Sequence, residues 1–271
     1  MSEHDAVAPS GLVRGINWLI LALLILPMTI VIPVSLTDQP YLSLPKHKLS
    51  LRHYVRLLTS ADWLSSFAQS FTIGAASTAI AVTAGALATI GCWQIGRRWS
   101  APFRVMLLVP LIVPSVVYAL GIYRLFIPLH LLDTYLGVIL AHAVTAIPYV
   151  VITISAALAG FDPALLRAAR GLGASQAQAL RHVLLPAIAP GLISGAILAF
   201  MHSWDEIVIV LFVASRSIVT VPRRIWDGIN EQLDPAIAAV ATVMVVVSIL
   251  LLAVNRYAAP ASRRPARADQ E

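Results

Sequence analysis

Charge is scarce in this sequence. Asp, Glu, Lys and Arg make up 12% of its 271 residues, about half of the roughly 25% typical of soluble domains. Hydrophobic residues make up 59%, and the mean hydropathy is +0.83. This composition argues against a soluble enzyme, a nucleic-acid-binding domain and a disordered scaffold. The net charge of +6 comes from basic residues between long apolar runs, a pattern typical of membrane topology. The composition therefore predicts an integral membrane protein.

Several chemical groups are also missing. Cys92 is the only cysteine, which excludes an intrachain disulfide and a cysteine-based metal site. No GxxxxGK[ST] phosphate-binding loop occurs in the sequence. The histidines are scattered and do not form the paired ligands of a membrane-embedded metalloenzyme. We therefore expect no catalytic residues, no metal site and no cofactor bound by this chain, with any ATP handled by another protein.

Six stretches free of Asp, Glu, Lys and Arg are long enough to cross a membrane, which takes roughly 20 apolar residues. They are Ile16–Leu36, Trp63–Gly96, Val105–Tyr123, Thr134–Phe161, Val183–Trp204 and Pro235–Asn255. The fifth is predicted to continue as helix through Asp205 and Glu206 to Ser215. The first is too long for the apolar core of a signal peptide and is predicted to be a retained helix.

The basic residues predict the orientation of these spans. With both termini in the cytoplasm, the inner segments hold eleven of the 19 Lys and Arg residues. Three of them, Arg97, Arg98 and Arg104, lie in or beside one short loop, where the positive-inside rule has most weight. We therefore predict a cytoplasmic N-terminus over residues 1–15, a six-helix transmembrane domain over 16–257 and a polar cytoplasmic tail over 258–271.

The loop at 161–186, between the fourth and fifth spans, contains unusually complete helix-boundary signals. Asp162 is a predicted N-cap and Pro163 occupies the first helical position. Ala164–Arg170 then reads as a helix that Gly171 and Gly173 end, because glycine accepts the left-handed cap conformation. A linker without regular structure would not need these helix-boundary residues.

A second short helix is predicted directly afterwards. Ser175 and Gln178 have the spacing of a capping box, and Pro186 is predicted to close the helix. The first helix also has an apolar stripe beside Arg167 and Arg170. Such a helix could lie on lipid, bind DNA or dock on a partner protein. Docking is favoured, because the helix is short, its turn is sharply defined and both ends of the loop are tied to spans.

The spacing in this loop resembles the EAA loop of permease subunits in binding-protein-dependent, type I ABC importers. The family pattern is Glu-Ala-Ala, three residues, Gly, nine residues, Ile, one residue and Leu-Pro. Matching positions are Ala168, Ala169, Gly173, Val183, Leu185 and Pro186. Arg167 departs from the pattern, because it stands where the family has Glu.

This resemblance implies an all-α membrane fold of six helices in which the loop is the coupling helix on a separate ATPase subunit. It also implies a second, homologous permease subunit, two ATPase subunits that bind ATP and Mg, and a periplasmic or lipid-anchored solute-binding protein. The implied location is the bacterial cytoplasmic (inner) membrane. No nucleic-acid partner is expected.

Polar residues in the fifth span predict where a solute passes. Asp205 lies ten residues before Ser215, about 15 Å along a helix and therefore near mid-bilayer. His202 and Glu206 are four residues apart and share a helix face, whereas Asp205 is turned by about 100°. One acid is expected to line the pathway and attract a cation, and the other to hold a neighbouring helix or the partner permease. The alternative is that both are structural, paired with His202, Arg124 or a partner chain.

Two further residues are candidates for lining the pathway. Besides His202, Asp205 and Glu206, we include Trp204 and Tyr118, although Tyr118 could equally pack. His142, alone in the fourth span, is expected to be a packed histidine.

A second resemblance, over roughly the last seventy residues, concerns the substrate. The segments 203–209, 221–227 and 234–242 are similar to the second permease of the spermidine/putrescine group, which implies a small cationic or amine-containing solute such as a polyamine. Related subgroups carry aminophosphonates and opine-like compounds, so the solute stays open. The alternative function is an ion-coupled secondary transporter that uses Asp205 or Glu206, although such proteins normally have more spans and an internal repeat.

Overall fold

The computed structural model describes residues 11–214, 216–231 and 234–258, without the side chains of 97–99 and 256–258. Residues 1–10 of the predicted N-terminal segment and 259–271 of the predicted tail lie outside the described residues. All regular structure in the described ranges is helical. The helices are α1 (Gly11–Ser35), α2 (Arg52–Thr59), α3 (Ala61–Ile95), α4 (Arg97–Ile112), α5 (Ser115–Phe126), α6 (Tyr135–Ala159), α7 (Ala164–Gly171), α8 (Gln176–Ala179), a π turn (Leu180–Leu184), α9 (Leu185–Asp205), α10 (Val208–Val213), α11 (Val221–Glu231) and α12 (Ala236–Ala258).

The predicted number of spans is confirmed when one bent pair is counted as a single span. Five segments of the described chain are long and apolar enough to cross a membrane, and α4 with α5 supplies the sixth. The chain bends by 104° between the two halves of this pair. The bend lies at Val113, which is extended because it precedes Pro114, and Pro114 then begins α5. The third span predicted from the sequence, Val105–Tyr123, is therefore bent near its centre.

The fifth span is broken as well, which corrects the prediction of a continuous helix through the acids. Helix α9 ends at Asp205, Glu206 is extended, and a separate short helix starts at Val208. The Glu206 carboxylate accepts hydrogen bonds from the backbone amides of Val208 (2.7 Å) and Ile209 (3.1 Å). These bonds satisfy the first amides of α10, so the break is capped by the acid itself.

The described chain forms two compact units, and the larger comprises residues 62–224 and 247–258. Its core contains two clusters of buried apolar side chains, one around Ile73, Val138 and Val210 and the other around Val150 and Ile188. Helices α6 and α9 approach closely because α9 presents glycine to α6, as is common in membrane helix pairs. A Cβ on Gly191 would lie 2.7 Å from the Ala157 Cβ, and one on Gly195 would lie 2.6 Å from the Thr153 hydroxyl.

The smaller unit comprises residues 11–61 and 225–246. Its first helix, α1, is apolar and exposed along most of its length, as a span covered by lipid or by another chain would be. The end of α1 is fixed to α2 by a hydrogen bond between the Ser35 and Tyr54 hydroxyls (2.7 Å). An ion pair joins Arg56 to Asp234 (2.7 Å). Polar contacts thus join the end of α1 to α2, and α2 to the segment that precedes α12.

Candidate coupling loop and translocation site

The first helix of the loop, α7, begins and ends through its own sequence signals. The Asp162 carboxylate accepts a hydrogen bond from the Ala164 amide (2.8 Å). At the other end, Gly173 has a φ of +92°, and the amides of Gly173 and Ala174 donate to the carbonyls of Arg170 (3.0 Å) and Ala169 (3.1 Å). This pattern is a Schellman cap. Gly173 alone adopts the left-handed conformation, whereas Gly171 is the last residue of the helix.

The second helix begins at the predicted capping box. The Gln178 amide donates to the Ser175 hydroxyl (3.2 Å), and the Ser175 amide donates to the Gln178 side chain (2.8 Å). The predicted end at Pro186 is wrong, because the chain passes through the π turn directly into α9. A π turn widens the helix ahead of Pro186, whose ring would clash with a carbonyl in a regular helix interior. Val183, Leu185 and Pro186 therefore lie within a continuous helical segment.

The exposed surface of the loop carries both apolar side chains and the basic side chains of Arg167 and Arg170. Leu172 is 91% exposed and Leu165 is 52% exposed. Two grooves flank α7. The first, of about 530 Å³, is lined by residues that include Trp93, Leu166, Arg167 and Arg170. The second, of about 480 Å³, is lined by residues that include Ala169, Leu172, Gly173, His182 and Val183.

At the opposite end of α9, the neighbouring acids Asp205 and Glu206 have different environments. Glu206 caps α10 and is half-buried, whereas Asp205 is exposed. Among the described residues, neither a hydrogen bond nor an ion pair reaches the Asp205 carboxylate. His202 and Arg124, the intramolecular partners weighed from the sequence, do not pair with it in this part of the chain.

His202 contacts α6 rather than Glu206. Its Nε2 lies 3.0 Å from the Thr145 hydroxyl, and its ring lies 5.0 Å from the ring of Tyr149, centroid to centroid. No hydrogen bond or ion pair joins His202 to Glu206 among the described residues, although a spacing of four residues would allow such a pairing on a continuous helix. The helix break ends the shared face on which that pairing depended.

Two adjoining cavities meet at this point. One of about 300 Å³ is lined by Tyr149, Leu198, Met201, His202, Asp205 and Glu206. The other, of about 160 Å³, is lined by residues that include Tyr118, Thr145, Tyr149, His202 and Glu206. Four of the sequence candidates thus come together here. The Tyr118 hydroxyl also donates to the Ala141 carbonyl (3.0 Å), so Tyr118 both packs and lines a cavity.

Sequence reasoning missed Tyr149 as a lining residue. Tyr149 lies four residues after Thr145 and therefore on the same face of α6, which is the one signal that could have identified it. Trp204, in contrast, lies apart from the cavities. It is 6% exposed and packs against the rings of Phe67 and Phe200.

His142 lies beneath this site, packed inside the protein as the sequence suggested. It is 1% exposed, and its Nδ1 lies 2.8 Å from the Ser203 hydroxyl, which in turn accepts a hydrogen bond from Ser77 (3.1 Å). This chain of polar groups connects α3, α6 and α9. It fixes the positions of the helices that carry the cavity-lining residues.

Comparisons with known proteins agree with this architecture. The family model for the binding-protein-dependent transport system inner membrane component matches residues 81–264. The spermidine/putrescine transport system permease protein PotC of Haemophilus influenzae is 30% identical over 239 residues, which cover 88% of this chain and 93% of that protein. The putrescine transport system permease protein PotI of Escherichia coli strain K12 is 33% identical over 202 residues, or 72% of each chain.

A solved structure shows the same fold. It is the crystal structure of a bacterial ABC transporter involved in the import of the acidic polysaccharide alginate, with a TM-score of 0.65 and 15% identity over 89% of this chain and 91% of that one. The family match covers more than half of the chain, and the loop at 161–186 lies inside it. The chain therefore belongs to the family of binding-protein-dependent transport system inner membrane components, the permease subunits of ABC importers.

Proposed function

We propose that this chain forms half of the translocation pathway of an importer for a small cationic solute, of which a polyamine is the leading candidate. Its complex contains a second, homologous permease, two ATPase subunits that bind ATP and Mg, and a solute-binding protein on the outer side. The observation that carries the proposal is the exposed carboxylate of Asp205, which pairs with no described residue and lies beside Tyr149 and His202.

The electrostatics of the site favour a cation. An ionised acid within a span is costly unless it faces water or an opposite charge. Glu206 meets this cost through two backbone hydrogen bonds, whereas Asp205 remains available. The half-buried ring of Tyr149 lines the same cavity and adds an aromatic face of the kind that attracts ammonium groups. A carboxylate beside an aromatic ring therefore suits an amine, and the two relatives are named for polyamine transport.

The fold alone does not determine the solute, since the alginate transporter has the same fold. The assignment of a cationic substrate therefore rests on Asp205 and on the two relatives. Asp205 and Tyr149 are proposed contacts, Tyr118 and His202 are proposed lining residues, and Glu206 is proposed to hold the helix break in place.

Coupling to ATP follows from the position of α9. Helix α9 begins at Leu185, inside the coupling loop at 161–186, and ends at Asp205, and its 21 residues span about 30 Å. Closure of the ATPase dimer moves α7, and the capped turn at Gly173 and the π turn pass this displacement to α9. The bundle then opens to the outer side to accept the solute. In this orientation, both termini and the loop are cytoplasmic in the bacterial inner membrane.

Co-purification in mild detergent tests the proposal. The chain is expected to recover an ATPase whose association is lost in Gly173→Asp, because an aspartate side chain strains the left-handed turn and adds negative charge beside α7. Gly121→Ala is the control, since Gly121 lies on α5, outside the loop, and a Cβ there meets no atom within 4 Å.

The solute is then identified by ATPase assays of the complex with binding proteins loaded with putrescine, spermidine or other amines. Stimulation by one loaded binding protein names the solute. A chain that purifies alone, reconstitutes alone and moves solute on an ion gradient would instead be a secondary transporter.

A further inference from the structure

Two arginines on the coupling helix have no carboxylate to pair with in the described chain. Arg167 and Arg170 are both exposed, and no ion pair or side-chain hydrogen bond within the described residues involves either guanidinium. Both line the 530 Å³ groove, together with Trp93, Gln94, Pro163, Leu166, Gln176, Ala179 and Leu180. None of these lining residues is acidic. The groove is therefore an apolar surface with two amides and two uncompensated positive charges.

Arg167 lies on the outward crest of α7. Leu166 packs against a buried apolar cluster and so defines the inward face of this helix. At 100° per residue, Arg167, Ala168 and Gly171 lie away from that face, and all three are exposed. Leu165 and Leu172 flank the crest on one side. A protein that docks on this surface therefore covers Arg167 while it buries the two leucines.

Covering a guanidinium is unfavourable unless the partner supplies an opposite charge. A desolvated, unpaired charge loses far more than a solvated one, whereas a carboxylate offers Arg the bidentate geometry that it pairs with best. The acid nearest to Arg167 in the sequence, Asp162, accepts a hydrogen bond from the Ala164 amide. None of the described acids forms an ion pair with Arg167, which favours the partner as the source of the compensating carboxylate.

We propose that the ATPase subunit that docks on α7 presents an acidic residue to Arg167 from within an apolar cleft that receives Leu165 and Leu172. This inference rests on the proposed function, which supplies the ATPase as the occupant. This chain has Arg where the family pattern has Glu, so the charge at this position is opposite to that of the pattern. The contact with Arg167 makes the permease selective for an ATPase whose cleft is acidic at this point.

The test measures the affinity of the purified full-length chain for its own ATPase, recovered by co-purification. Arg167→Glu is expected to weaken binding by about 30-fold or more, because it places like charges in contact. Arg181→Glu is the matched control, since Arg181 is exposed on the same loop, lines neither groove and undergoes the same change of charge. Its effect is expected to be within about 3-fold, the scale of exposed charges.

Rescue identifies the acid. Each Asp and Glu in the docking cleft of the ATPase is replaced in turn by Arg, and one of these variants is expected to restore binding to Arg167→Glu while weakening binding to the wild-type chain. Arg167→Leu is expected to lose affinity as well, because it leaves the partner's acid unpaired. Thermal melting of each variant establishes that it is folded.

Each contrary result has a distinct meaning. Equal losses for Arg167→Glu and Arg181→Glu would reduce the effect to net charge and overturn the inference. Unchanged binding of Arg167→Leu, or the absence of any rescuing substitution, would also overturn it. If the wild-type chain recovers no ATPase, the proposed function fails first and the inference fails with it.

Discussion

At the scale of single residues, Asp205 and Glu206 are neighbours with different environments. Replacing Asp205 with Asn is expected to lower uptake of a cationic solute by about 10-fold or more, because it removes the charge that offsets the cation at membrane depth. Assembly with the ATPase should persist, since Asp205 has no partner among the described residues. Uptake by reconstituted complexes measures the effect.

Glu206→Gln provides the comparison. It keeps an acceptor oxygen for the amides of Val208 and Ile209 but loses the charge, so it should lower thermal stability by about 1 kcal/mol and reduce uptake less than Asp205→Asn. The reverse pattern, with uptake lost in Glu206→Gln and retained in Asp205→Asn, would show that Glu206 rather than Asp205 contacts the cation.

The buried chain of Ser77, Ser203 and His142 gives a second prediction at this scale. Ser203→Ala leaves the Ser77 hydroxyl and the His142 Nδ1 without their shared partner, which should cost about 1–3 kcal/mol of stability. Thermal unfolding in detergent measures the loss. Thr72→Ala is the control, since the Thr72 hydroxyl bonds only to its own helix on an exposed face and its removal should cost under about 0.5 kcal/mol. Equal effects would show that the buried chain does not hold the helices together.

The sequence identified both acids but not which of them caps a helix and which is exposed. The apolar run after Glu206 looks like uninterrupted helix, and whether the Glu206 side chain caps a new helix depends on local geometry that composition does not encode. Tyr149 was missed for a related reason. Its contact with His202 joins two helices distant in the chain, so it follows from packing rather than from any local pattern.

At the scale of elements, the turn after α7 depends on one glycine. Gly173→Ala should destabilise the loop by about 1–2 kcal/mol, because φ is +92° and a Cβ is disfavoured in that region. ATP-driven uptake should fall with it, since the turn connects α7 to α9. Gly171→Ala lies two residues away at a helical position and should preserve stability. If both variants behave alike, the left-handed cap has no special role.

The contact between α6 and α9 gives the second prediction for elements. Gly195→Ala should destabilise the bundle by about 1–3 kcal/mol, because the added methyl would lie 2.6 Å from the Thr153 hydroxyl and 3.1 Å from the Val150 Cα. Gly121→Ala on α5 is the matched control, since its Cβ meets no atom within 4 Å. Thermal unfolding separates the two. A loss in the control as large as that in Gly195→Ala would contradict the close approach of the helices.

Local signals predicted the coupling loop well and the breaks in the spans less well. Asp162, Gly173 and the Ser175–Gln178 box act within a few residues, so their structural roles can be read from spacing alone. Pro186 misled, because the preceding π turn accommodates its ring within a continuous segment. The angle between α4 and α5 is likewise a property of the packed bundle, although Pro114 marks where it occurs.

At the scale of the whole molecule, composition and periodicity predicted the membrane class, and the EAA spacing predicted the importer family to which the chain belongs. What covers the apolar surface of α1 and the crest of α7 cannot be read from one chain, because both surfaces are completed by other molecules. The proposed complex supplies lipid or a second permease for the first and an ATPase for the second.

The most direct test of this account is uptake of labelled putrescine or spermidine into proteoliposomes that contain the full complex, with binding protein outside and ATP inside. The account predicts uptake that requires both ATP and binding protein, falls by about 10-fold or more in Asp205→Asn, and is lost in Gly173→Asp. Uptake by this chain alone, driven by an ion gradient and indifferent to ATP, would contradict it.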